Sequence, residues 1–552
     1  MKKKIILFVL LTLLFGVVSC DKNEEVLTLE AYEVIDVNTS NMFEQTDEVL
    51  DSSNFVKMSN DTEEEYINIK NGGSYLFEGS YNKTVLVNSG KNIVHIKLKN
   101  ANFEIENFAA IYVKEAKKVV ITLEGNNKIT INNMFVNIDE NNVDSAIFSK
   151  SELVINGNGN LAIDSTQNGV CSKDTLKIIS GNISMYVDNH GIDANDSIRI
   201  KNVHLNIMSR FDGIHCSNID DLSLGYVYIE NGIFDIICGS DGISASNYLY
   251  INNIDLKVNN DTGVAIADTY SKKGIKSTSD LIIKNGKFDI DTIDDAVHSN
   301  KSIKIENGEF ILKSGDDGIH ADSSVIVDGG NIQILKSYEG IEAQNVTINN
   351  GNITLYSTDD GFNCAGGVDQ EENQKPGYGH DQFDTDKDAF LVINNGEVYV
   401  NANGDGLDSN GYIKINGGNI IVEGPTNSGN SSLDFGLSAS INNATFIAIG
   451  SSGMASNFTE SNQGVIMYNT SKSYEADSHV KLLDEEGNLL FEFTTTKKFS
   501  SIIVSNNKVE EDKTYTLVLE DDEYEITLSS LIYSNGGGTG GHGDKPGGRP
   551  HR

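Results

Sequence analysis

The elements Ala296-Val297-His298-Ser299, Gly318-Ile319-His320-Ala321 and Gly340-Ile341-Glu342-Ala343 repeat one pattern, small–aliphatic–x–small, every 22 residues. The same pattern begins at further positions on both sides: Ala146, Gly169, Gly191, Gly213, Gly242, Gly274, Gly361 and Gly406. Successive spacings are 23, 22, 22, 29, 32, 22, 22, 22, 21 and 45 residues. A period of this length indicates a repeat architecture.

A second element keeps step with the first, because the glycines of Asn285-Gly286, Asn307-Gly308, Gly329-Gly330 and Asn350-Gly351 are 22, 22 and 21 residues apart. Apolar and polar residues alternate between these elements, as in Ser302-Ile303-Lys304-Ile305, and this alternation is typical of strands with one buried face. The period therefore predicts an all-β fold, a right-handed single-stranded parallel β-helix of about 22 residues per coil. A leucine-rich repeat is excluded because its Leu and Asn scaffold is missing.

The same period predicts the domain boundaries. The β-helix covers residues 66–463, and the 45-residue interval places an inserted loop at about 366–388. Residues 464–533 lose the period and alternate as strands with acidic turns, which predicts a small C-terminal β-domain that caps the open end. Residues 534–552 form a Gly-rich tail that we expect to be disordered.

The N-terminus has the pattern of a bacterial lipoprotein signal. Three lysines precede the apolar run Ile5–Val18, and Val17-Val18-Ser19-Cys20 follows in the manner of a lipobox. We expect a signal peptide over residues 1–20, a lipid on Cys20, a tether over 21–65 and a location in the cell envelope or at the cell surface. An ordinary N-terminal anchor or an uncleaved signal is the alternative.

Composition excludes other classes. The 552 residues include 80 acidic and 42 basic side chains, and the net charge of −38 excludes a nucleic-acid-binding protein. Five Cys without a CxxC pair exclude a disulfide scaffold and a zinc ribbon. The position of Cys216 and Cys364 in the repeat predicts small buried core residues.

Acidic residues stand directly before the small residue on successive coils, so stacking places them in a column. Carboxylates about 5 Å apart repel one another unless a cation lies between them. Calcium accepts six to eight oxygen ligands in irregular geometry, whereas magnesium requires a stricter octahedron. We therefore predict Ca²⁺ as the cofactor, and solvated turn residues are the alternative reading. The predicted ligands are Asp294, Asp295, Asp316, Asp317, Glu339, Asp359, Asp360, Asp405 and Asp408.

The position two residues after the small residue is polar on most coils and predicts a ligand-facing strip. His298, His320, Glu342 and Asn363 are its candidate binding residues. The chain has no Trp, so a tyrosine such as Tyr270, Tyr338 or Tyr378 is the candidate aromatic platform for a sugar, and Tyr338 is the predicted binding residue.

Three runs resemble a known family: Gly315-Asp316-Asp317-Gly318-Ile319-His320-Ala321, Ser357–Gly367 and Gly404–Gly411. They resemble the bacterial carbohydrate-binding β-helix family, exported proteins related in shape to pectate lyases, and the likeness covers about residues 65–530. The resemblance implies calcium-dependent binding of acidic plant polysaccharide such as polygalacturonate, with cellulose as a second ligand, and no cleavage. It becomes weaker between Gly213 and Gly274, where the spacing stretches.

The expected protein is a non-catalytic, monomeric binder of acidic polysaccharide that the Cys20 lipid holds to a membrane. A calcium-dependent lyase is the main alternative, and it needs a basic residue near the metal to abstract a proton. Arg210 and the lysines Lys272, Lys273 and Lys276 are the candidates, but none lies on the coils of the acidic pairs. A two-carboxylate hydrolase and a surface adhesin or structural rod stay open.

Overall fold

The computed structural model describes residues 29, 34–49, 54–260, 271–365 and 385–536. The predicted signal peptide, Cys20, most of the 366–388 insertion and most of the 534–552 tail lie outside these ranges. Within them the chain is all-β apart from two short 3-10 helices, Thr39–Asn41 and Gln45–Asp47. In this part of the chain, no helix has the length and apolar character that crossing a membrane requires.

The strands follow one another with short turns, and most belong to one large sheet. Up to residue 216 they are β1 (Val56–Lys57), β2 (Ile67–Ile69), β3 (Gly73–Tyr81), β4 (Val85–Asn88), β5 (Ile93–Ile105), β6 (Ile111–Glu115), β7 (Lys118–Glu124), β8 (Asn126–Ile131), β9 (Ser145–Ser149), β10 (Glu152–Gly157), β11 (Asn160–Ser165), β12 (Asn168–Ser172), β13 (Thr175–Ile178), β14 (Gly181–Val187), β15 (Ile192–Ala194), β16 (Ser197–Ser209) and β17 (Ile214–Cys216). From there to residue 461 they are β18 (Tyr226–Ile237), β19 (Ile243–Ala245), β20 (Leu249–Asn259), β21 (Ile275–Ser277), β22 (Leu281–Asp291), β23 (Val297–Ser299), β24 (Ser302–Ile305), β25 (Glu309–Lys313), β26 (Ile319–Val327), β27 (Asn331–Lys336), β28 (Ile341–Ile348), β29 (Asn352–Ser357), β30 (Phe362–Cys364), β31 (Phe390–Ile393), β32 (Glu397–Ala402), β33 (Leu407–Ser409), β34 (Tyr412–Ile415), β35 (Asn419–Glu423), β36 (Ser438–Ile441), β37 (Thr445–Gly450) and β38 (Glu460–Ser461). The C-terminal strands are β39 (Val465–Tyr474), β40 (His479–Leu483), β41 (Leu489–Thr494), β42 (Phe499–Ser505), β43 (Thr514–Leu519), β44 (Asp522–Thr527) and β45 (Ile532–Ser534).

Each strand of the repeat pairs in parallel with its equivalents one period before and after, and three such faces result. On the first face, which carries the small–aliphatic–x–small element, Val297 pairs with Ile319 and Ile319 with Ile341. On the second face Ile303 pairs with Val325, and on the third Phe288 pairs with Phe310. This register confirms the parallel all-β prediction, whereas the right-handed sense of the coil stays a prediction.

Alternation places every second side chain in a continuous apolar core that runs through the coils. Phe288 and Phe310 stack in it with ring centroids 4.5 Å apart, and burying one such ring contributes about 2–3 kcal/mol. Gly308 turns the chain between two faces at φ 139°, and a Cβ there would lie 3.1 Å from the carbonyl oxygen of Gly286. The repeat therefore depends on both core side chains and turn glycines.

The cysteines of the repeat are buried and free, as the sequence predicts for two of them. Cys171, Cys216, Cys238 and Cys364 have no exposed surface and form no disulfide.

Val346 pairs with Leu391, 45 residues later, so the parallel register of the coils continues across the long interval. The inserted loop itself stays a prediction.

The chain leaves the repeat in the C-terminal region. Strand β42 pairs antiparallel with β37 and with β39, and β40, β41, β43 and β44 form a separate antiparallel sheet with its own apolar core. The antiparallel β42 covers the edge of β37, which an unpaired end of the repeat would leave exposed.

The predicted tether differs from the structure over residues 34–49, here named the strap, which lie against the second face. Met42 is buried with Tyr228, Tyr250 and Ile282, and the carboxylate of Asp47 is fully buried. These contacts join residues up to 245 positions apart, so a sequence pattern of local period does not reveal them.

Candidate metal centre

The first face carries a column of polar side chains, the acidic column, at the position directly before each small residue. Each member lies beside its equivalents because the strands that follow it pair in register. Its members are Asn168, His190, Asp212, Asp241, Lys273, Asp295, Asp317, Glu339, Asp360, Asp405 and Ser431.

Side chains of the acidic column hold the turn of the following coil. The backbone N–H of Asp317 donates to Asp295 Oδ1 at 2.9 Å, and the N–H of Glu339 donates to Asp317 Oδ1 at 3.2 Å. The N–H of Asp405 donates in the same way to Asp360 Oδ1. In each of these aspartates one carboxylate oxygen thus accepts a hydrogen bond from a backbone N–H, and the other oxygen can bind a second partner.

In the middle of the column the second oxygen meets a lysine or a histidine. Here the paired segment comprises Lys273, Asp295, His298, Asp317 and His320. Lys273 Nζ lies 2.6 Å from Asp295 Oδ2 and 3.0 Å from Asp294 Oδ1. His298 Nδ1 lies 2.8 Å from Asp295 Oδ2, and His320 Nδ1 lies 3.0 Å from Asp317 Oδ2. Charges inside this segment are therefore neutralised by the protein itself.

The pKa values of the paired segment differ in direction. Burial, with the nearby charges of Asp295 and Glu342, outweighs the hydrogen bond from His320 and raises the pKa of Asp317 well above its usual range. Burial raises the pKa of Asp295, but the charge of Lys273 and the hydrogen bond from His298 outweigh it and hold that pKa below its usual range. Burial lowers the pKa of His320, but its bonds to Asp317, Asp322 and Glu342 raise it well above the ordinary value. An imidazolium at position 320 is therefore the state that the surrounding carboxylates favour.

The imidazoles of His298 and His320 are 2% exposed, and the Glu342 carboxylate contacts His320 Nδ1 at 3.0 Å. These three candidates of the ligand-facing strip thus lie beside the column, and the two histidines are closed to solvent. The position two residues after the small residue is polar on most coils because it faces the acidic column. From the sequence pattern alone, this cause cannot be distinguished from contact with a ligand.

Farther along the column the partners change, and Asp360, Asp405, Asp408 and Asp434 are here named the carboxylate cluster. Ligand oxygens of Asp360, Asp405 and Asp408 all lie within 4.8 Å of one another. Asp434 stands next to Asp408, because Leu407 and Leu433 form a bridge one residue earlier. Among the described residues, no ion pair with Lys, Arg or His reaches Asp360, Asp405 or Asp408.

Burial and mutual repulsion raise the pKa values in the carboxylate cluster. Burial is the larger cause for Asp360 and the charge of Asp359 the next, and together they raise its pKa to about 7. Burial and the charge of Asp360 raise the pKa of Asp405 to about 8, and the pKa of Asp408 lies well above its usual value for the same reasons. A cation at this place would relieve that repulsion.

A buried amide borders the cluster. Asn363 is 8% exposed, and it pairs in register with Glu342 on one side and Asp408 on the other. Its Nδ2 donates to Glu339 Oε2 at 2.7 Å, while its Oδ1 has no hydrogen-bond partner among the described residues. Amide and carboxylate oxygens are the donors that calcium prefers, so this donor set fits that ion.

The remaining predicted residues form a more exposed rim beside the column. Ligand oxygens of Asp294, Asp295 and Asp316 lie within 4.8 Å of one another, which makes them a second candidate group. The Tyr338 ring is 47% exposed, and a hydrogen bond with Asp359, followed by burial, raises the pKa of its hydroxyl. Tyr338 is thus available at the surface, as its predicted role as a platform requires.

The ligands predicted from the sequence omit two residues of the acidic column, His190 and Lys273, and one residue beside it, Asp434. Lys273 reaches the acidic pairs of the next coil through its long side chain, although the repeat places it on a different turn. Asp434 follows Ser432-Leu433, where serine replaces the glycine that identifies the other coils. His190 replaces an acidic residue, and its ring stacks on His215 at 4.7 Å. Counting the 22-residue period without regard to residue type finds His190 and Lys273, but not Asp434, which lies 26 residues after Asp408.

Comparisons with known proteins agree with a carbohydrate-binding fold. A family model described as carbohydrate-binding domain-containing protein matches residues 63–318. A protein of that name from Acetivibrio thermocellus is 30% identical over 230 residues, which are 40% of this chain and 79% of the relative. The chain belongs to this family.

A solved structure is also similar, a polysaccharide lyase-like protein from C. thermocellum studied as a gadolinium derivative. It is 29% identical, covers 40% of this chain and 88% of its own, and superposes with a TM-score of 0.37. The family match ends at residue 318, before His320 of the paired segment and before the carboxylate cluster.

Proposed function

We propose that this family member binds an acidic polysaccharide of the polygalacturonate type through calcium, without cleaving it. The observation that carries the proposal is the carboxylate cluster, where Asp360, Asp405 and Asp408 converge and no ion pair from the described residues neutralises them. We further propose that the coils form a right-handed β-helix and that a lipid on Cys20 holds the protein to the bacterial envelope.

Asp360, Asp405 and Asp408 would hold the ion, with Asn363 Oδ1 as an uncharged oxygen beside them. A bound calcium ion supplies positive charge that protein carboxylates and uronate carboxylates share. This matters because a chain of net charge −38 otherwise repels a polyuronate. Asn363 also fixes Glu339 by a hydrogen bond, and the exposed Tyr338 ring offers an apolar surface to a sugar.

The position of Lys273 supports binding rather than elimination. A lyase requires a neutral amine or guanidine near the metal to take a proton from the sugar. Lys273 is a candidate base of the lyase alternative, and its ammonium is held between Asp294 and Asp295 at 3.0 and 2.6 Å. A carboxylate pair at that distance favours the protonated form, which cannot act as a base.

Calorimetry on EDTA-stripped protein tests the proposal, first with calcium chloride and then with polygalacturonate. We expect calcium uptake, polymer binding only with calcium, and no growth of the ultraviolet absorbance of an unsaturated product. Asp405→Asn with Asp408→Asn should abolish both binding events. Asp255→Asn with Asp289→Asn, two exposed aspartates of the third face, makes the same change in charge and should bind like the native protein.

Each contrary outcome has its own meaning. Growing absorbance would replace the binder by a lyase. Polymer binding that persists in EDTA and in the Asp405/Asp408 variant would refute the role of calcium. Absence of calcium uptake and of polymer binding would leave a surface rod whose acidic column has only a structural role.

A further inference from the structure

The strap runs along the second face in the direction opposite to the stacking of the coils. Its residue Ile35 donates a backbone N–H to Asp280 Oδ2 at 3.0 Å. Farther on, the Met42 carbonyl accepts from Arg199 Nη1 at 3.1 Å, and the Asp47 carbonyl accepts from Asn156 Nδ2 at 2.7 Å. Sixteen residues of chain therefore cover several coils between Asp280 and Lys118.

Beneath the strap lies a row of cations and aromatic rings, here named the cationic groove: Lys118, Lys177, Arg199, Lys201, Tyr228 and Tyr250. Lys177, Arg199, Tyr228 and Tyr250 occupy one register position on successive coils. The Tyr228 and Tyr250 rings stack at 5.0 Å, and Arg199 lies over the Tyr226 ring at 5.4 Å. Such a concentration of positive charge is unusual for a chain of net charge −38.

Strap carboxylates neutralise this groove. Asp47 accepts from Lys118 Nζ at 2.7 Å and from Lys177 Nζ at 3.0 Å, and Glu44 accepts from Lys118 Nζ at 2.9 Å. Glu48 accepts from Lys201 Nζ at 3.3 Å. The coils themselves add Glu152, which lies 3.1 Å from Lys118 Nζ and 2.7 Å from Lys177 Nζ.

The apolar part of the strap covers the rings. Met42 is buried against Tyr228, Tyr250 and Ile282, and the Phe43 ring meets the Tyr228 ring edge-on at 6.0 Å. The strap therefore presents carboxylates to the lysines and apolar side chains to the stacked rings. A uronate chain presents the same two features, since each sugar residue carries a carboxylate and an apolar ring face.

We propose that the strap is an intramolecular substitute for an anionic polysaccharide, and that the cationic groove is a second, calcium-independent binding site which the strap closes. Displacing the strap exposes Lys118, Lys177, Arg199 and Lys201 to the carboxylates of a polyuronate. The inference takes only the class of polymer from the proposed function, because groove and acidic column lie on different faces and use opposite charges.

A neutral strap tests this inference in EDTA, where the acidic column cannot act through calcium. Glu44→Gln, Asp47→Asn, Glu48→Gln, here named the neutral strap, removes the three strap carboxylates that contact the groove and leaves Asp36 unchanged. We expect polygalacturonate to bind this variant at least tenfold more tightly than the native protein. Glu511→Gln, Glu523→Gln, Glu525→Gln changes the net charge equally on the exposed C-terminal sheet and should give no gain. Adding Arg199→Gln and Lys201→Gln to the neutral strap should remove the gain, and fully methyl-esterified polymer should not bind.

Hydrogen exchange of the native protein gives a readout that does not depend on variants. Polygalacturonate in EDTA should increase exchange at the amides of residues 40–48 relative to buffer. A neutral-strap variant that melts cooperatively but gains no binding, together with unchanged exchange in the native strap, would overturn the inference and make the strap a structural brace. Because both measurements exclude calcium, their failure is distinct from a failure of calcium-dependent binding by the native protein.

Discussion

In both parts of the acidic column, one carboxylate oxygen accepts a backbone N–H of the next coil. The two parts differ in the groups that face the second carboxylate oxygen. In the paired segment Asp295 meets Lys273 and His298, and Asp317 meets His320. In the carboxylate cluster Asp360, Asp405 and Asp408 meet one another and the amide of Asn363. These backbone hydrogen bonds explain why acidic residues occur in both parts. The missing ion pairs of Asp360, Asp405 and Asp408 among the described residues are the feature that points to a ligand.

The comparison favours the carboxylate cluster, rather than the paired segment, as the place of the proposed calcium site. A buried carboxylate with its own lysine or histidine gains little from calcium, because the ion must displace a charge that is already paired. Carboxylates that repel one another are stabilised most by a bound calcium ion. The raised pKa values of Asp360 and Asp405, about 7 and 8, reflect how unfavourable it is to ionise them together. The following predictions exchange features between the two parts.

The largest effect is expected from His320→Asn, which places in the paired segment the residue type found at 363. Removing the cation leaves Asp317 and Glu342 facing each other in a buried position, and breaking a buried pair costs about 3–5 kcal/mol of unfolding free energy. Urea unfolding measures it, with His204→Asn as the control because His204 is exposed on the third face. A loss no larger than that of the control would mean that the segment is not held by this charge.

The reverse exchange, Asn363→His, brings a cation into the carboxylate cluster. An imidazolium beside Glu339 and Asp408 should compete with calcium and weaken its binding about a hundredfold, which corresponds to about 2.7 kcal/mol. The calcium-free protein should melt at a higher temperature, because repulsion is relieved. Calorimetry and thermal unfolding check the two effects, with Asn349→His on the second face as the control; unchanged calcium affinity would show that the ion is held elsewhere.

The pH dependence of stability gives a smaller signal with a definite sign. Folded Asp360 and Asp405 have pKa values raised above those of the unfolded chain, so the folded state binds more protons and its stability falls as pH rises toward 8. Burial and, next, His215 lower the pKa of His190 to about 4, which gives the opposite slope below about pH 6.5. The informative window is therefore pH 6.5–8.

In that window the calcium-free native protein should lose about 1–2 kcal/mol more than Asp405→Asn, since each pKa unit is worth about 1.4 kcal/mol. Unfolding at fixed ionic strength measures the difference, and saturating calcium should remove it because the bound cluster is charged throughout. Parallel pH profiles for the two proteins without calcium would contradict the raised pKa values.

The repeat period and the residue types predict the acidic column, but they do not predict its charge pairs or the strap. The 22-residue spacing determines the register, so the column of Asp295, Asp317 and Glu339 follows from counting alone. Charge pairing does not follow, because Lys273 crosses to the next coil through a flexible side chain whose direction no spacing encodes. The sequence predicts a tether where the structure has the strap, because contacts of the strap, such as Asp47 with Lys177 across 130 positions, leave no periodic signal.

The smallest effect is expected where the two parts of the column are most alike, at the group formed by Asp294, Asp295 and Asp316. Lys273→Gln removes the ammonium that neutralises Asp294 and Asp295 and leaves carboxylates without that partner. The variant should gain a weak calcium site, and about tenfold tighter binding than the native group corresponds to about 1.4 kcal/mol. Calorimetry in an Asp405→Asn, Asp408→Asn background isolates this group from the carboxylate cluster. Lys304→Gln on the second face is the matched control. A Lys273→Gln variant that takes up no calcium would show that a missing counter-charge alone does not make a calcium site. The uncharged oxygen of Asn363 would then be an essential part of the carboxylate cluster.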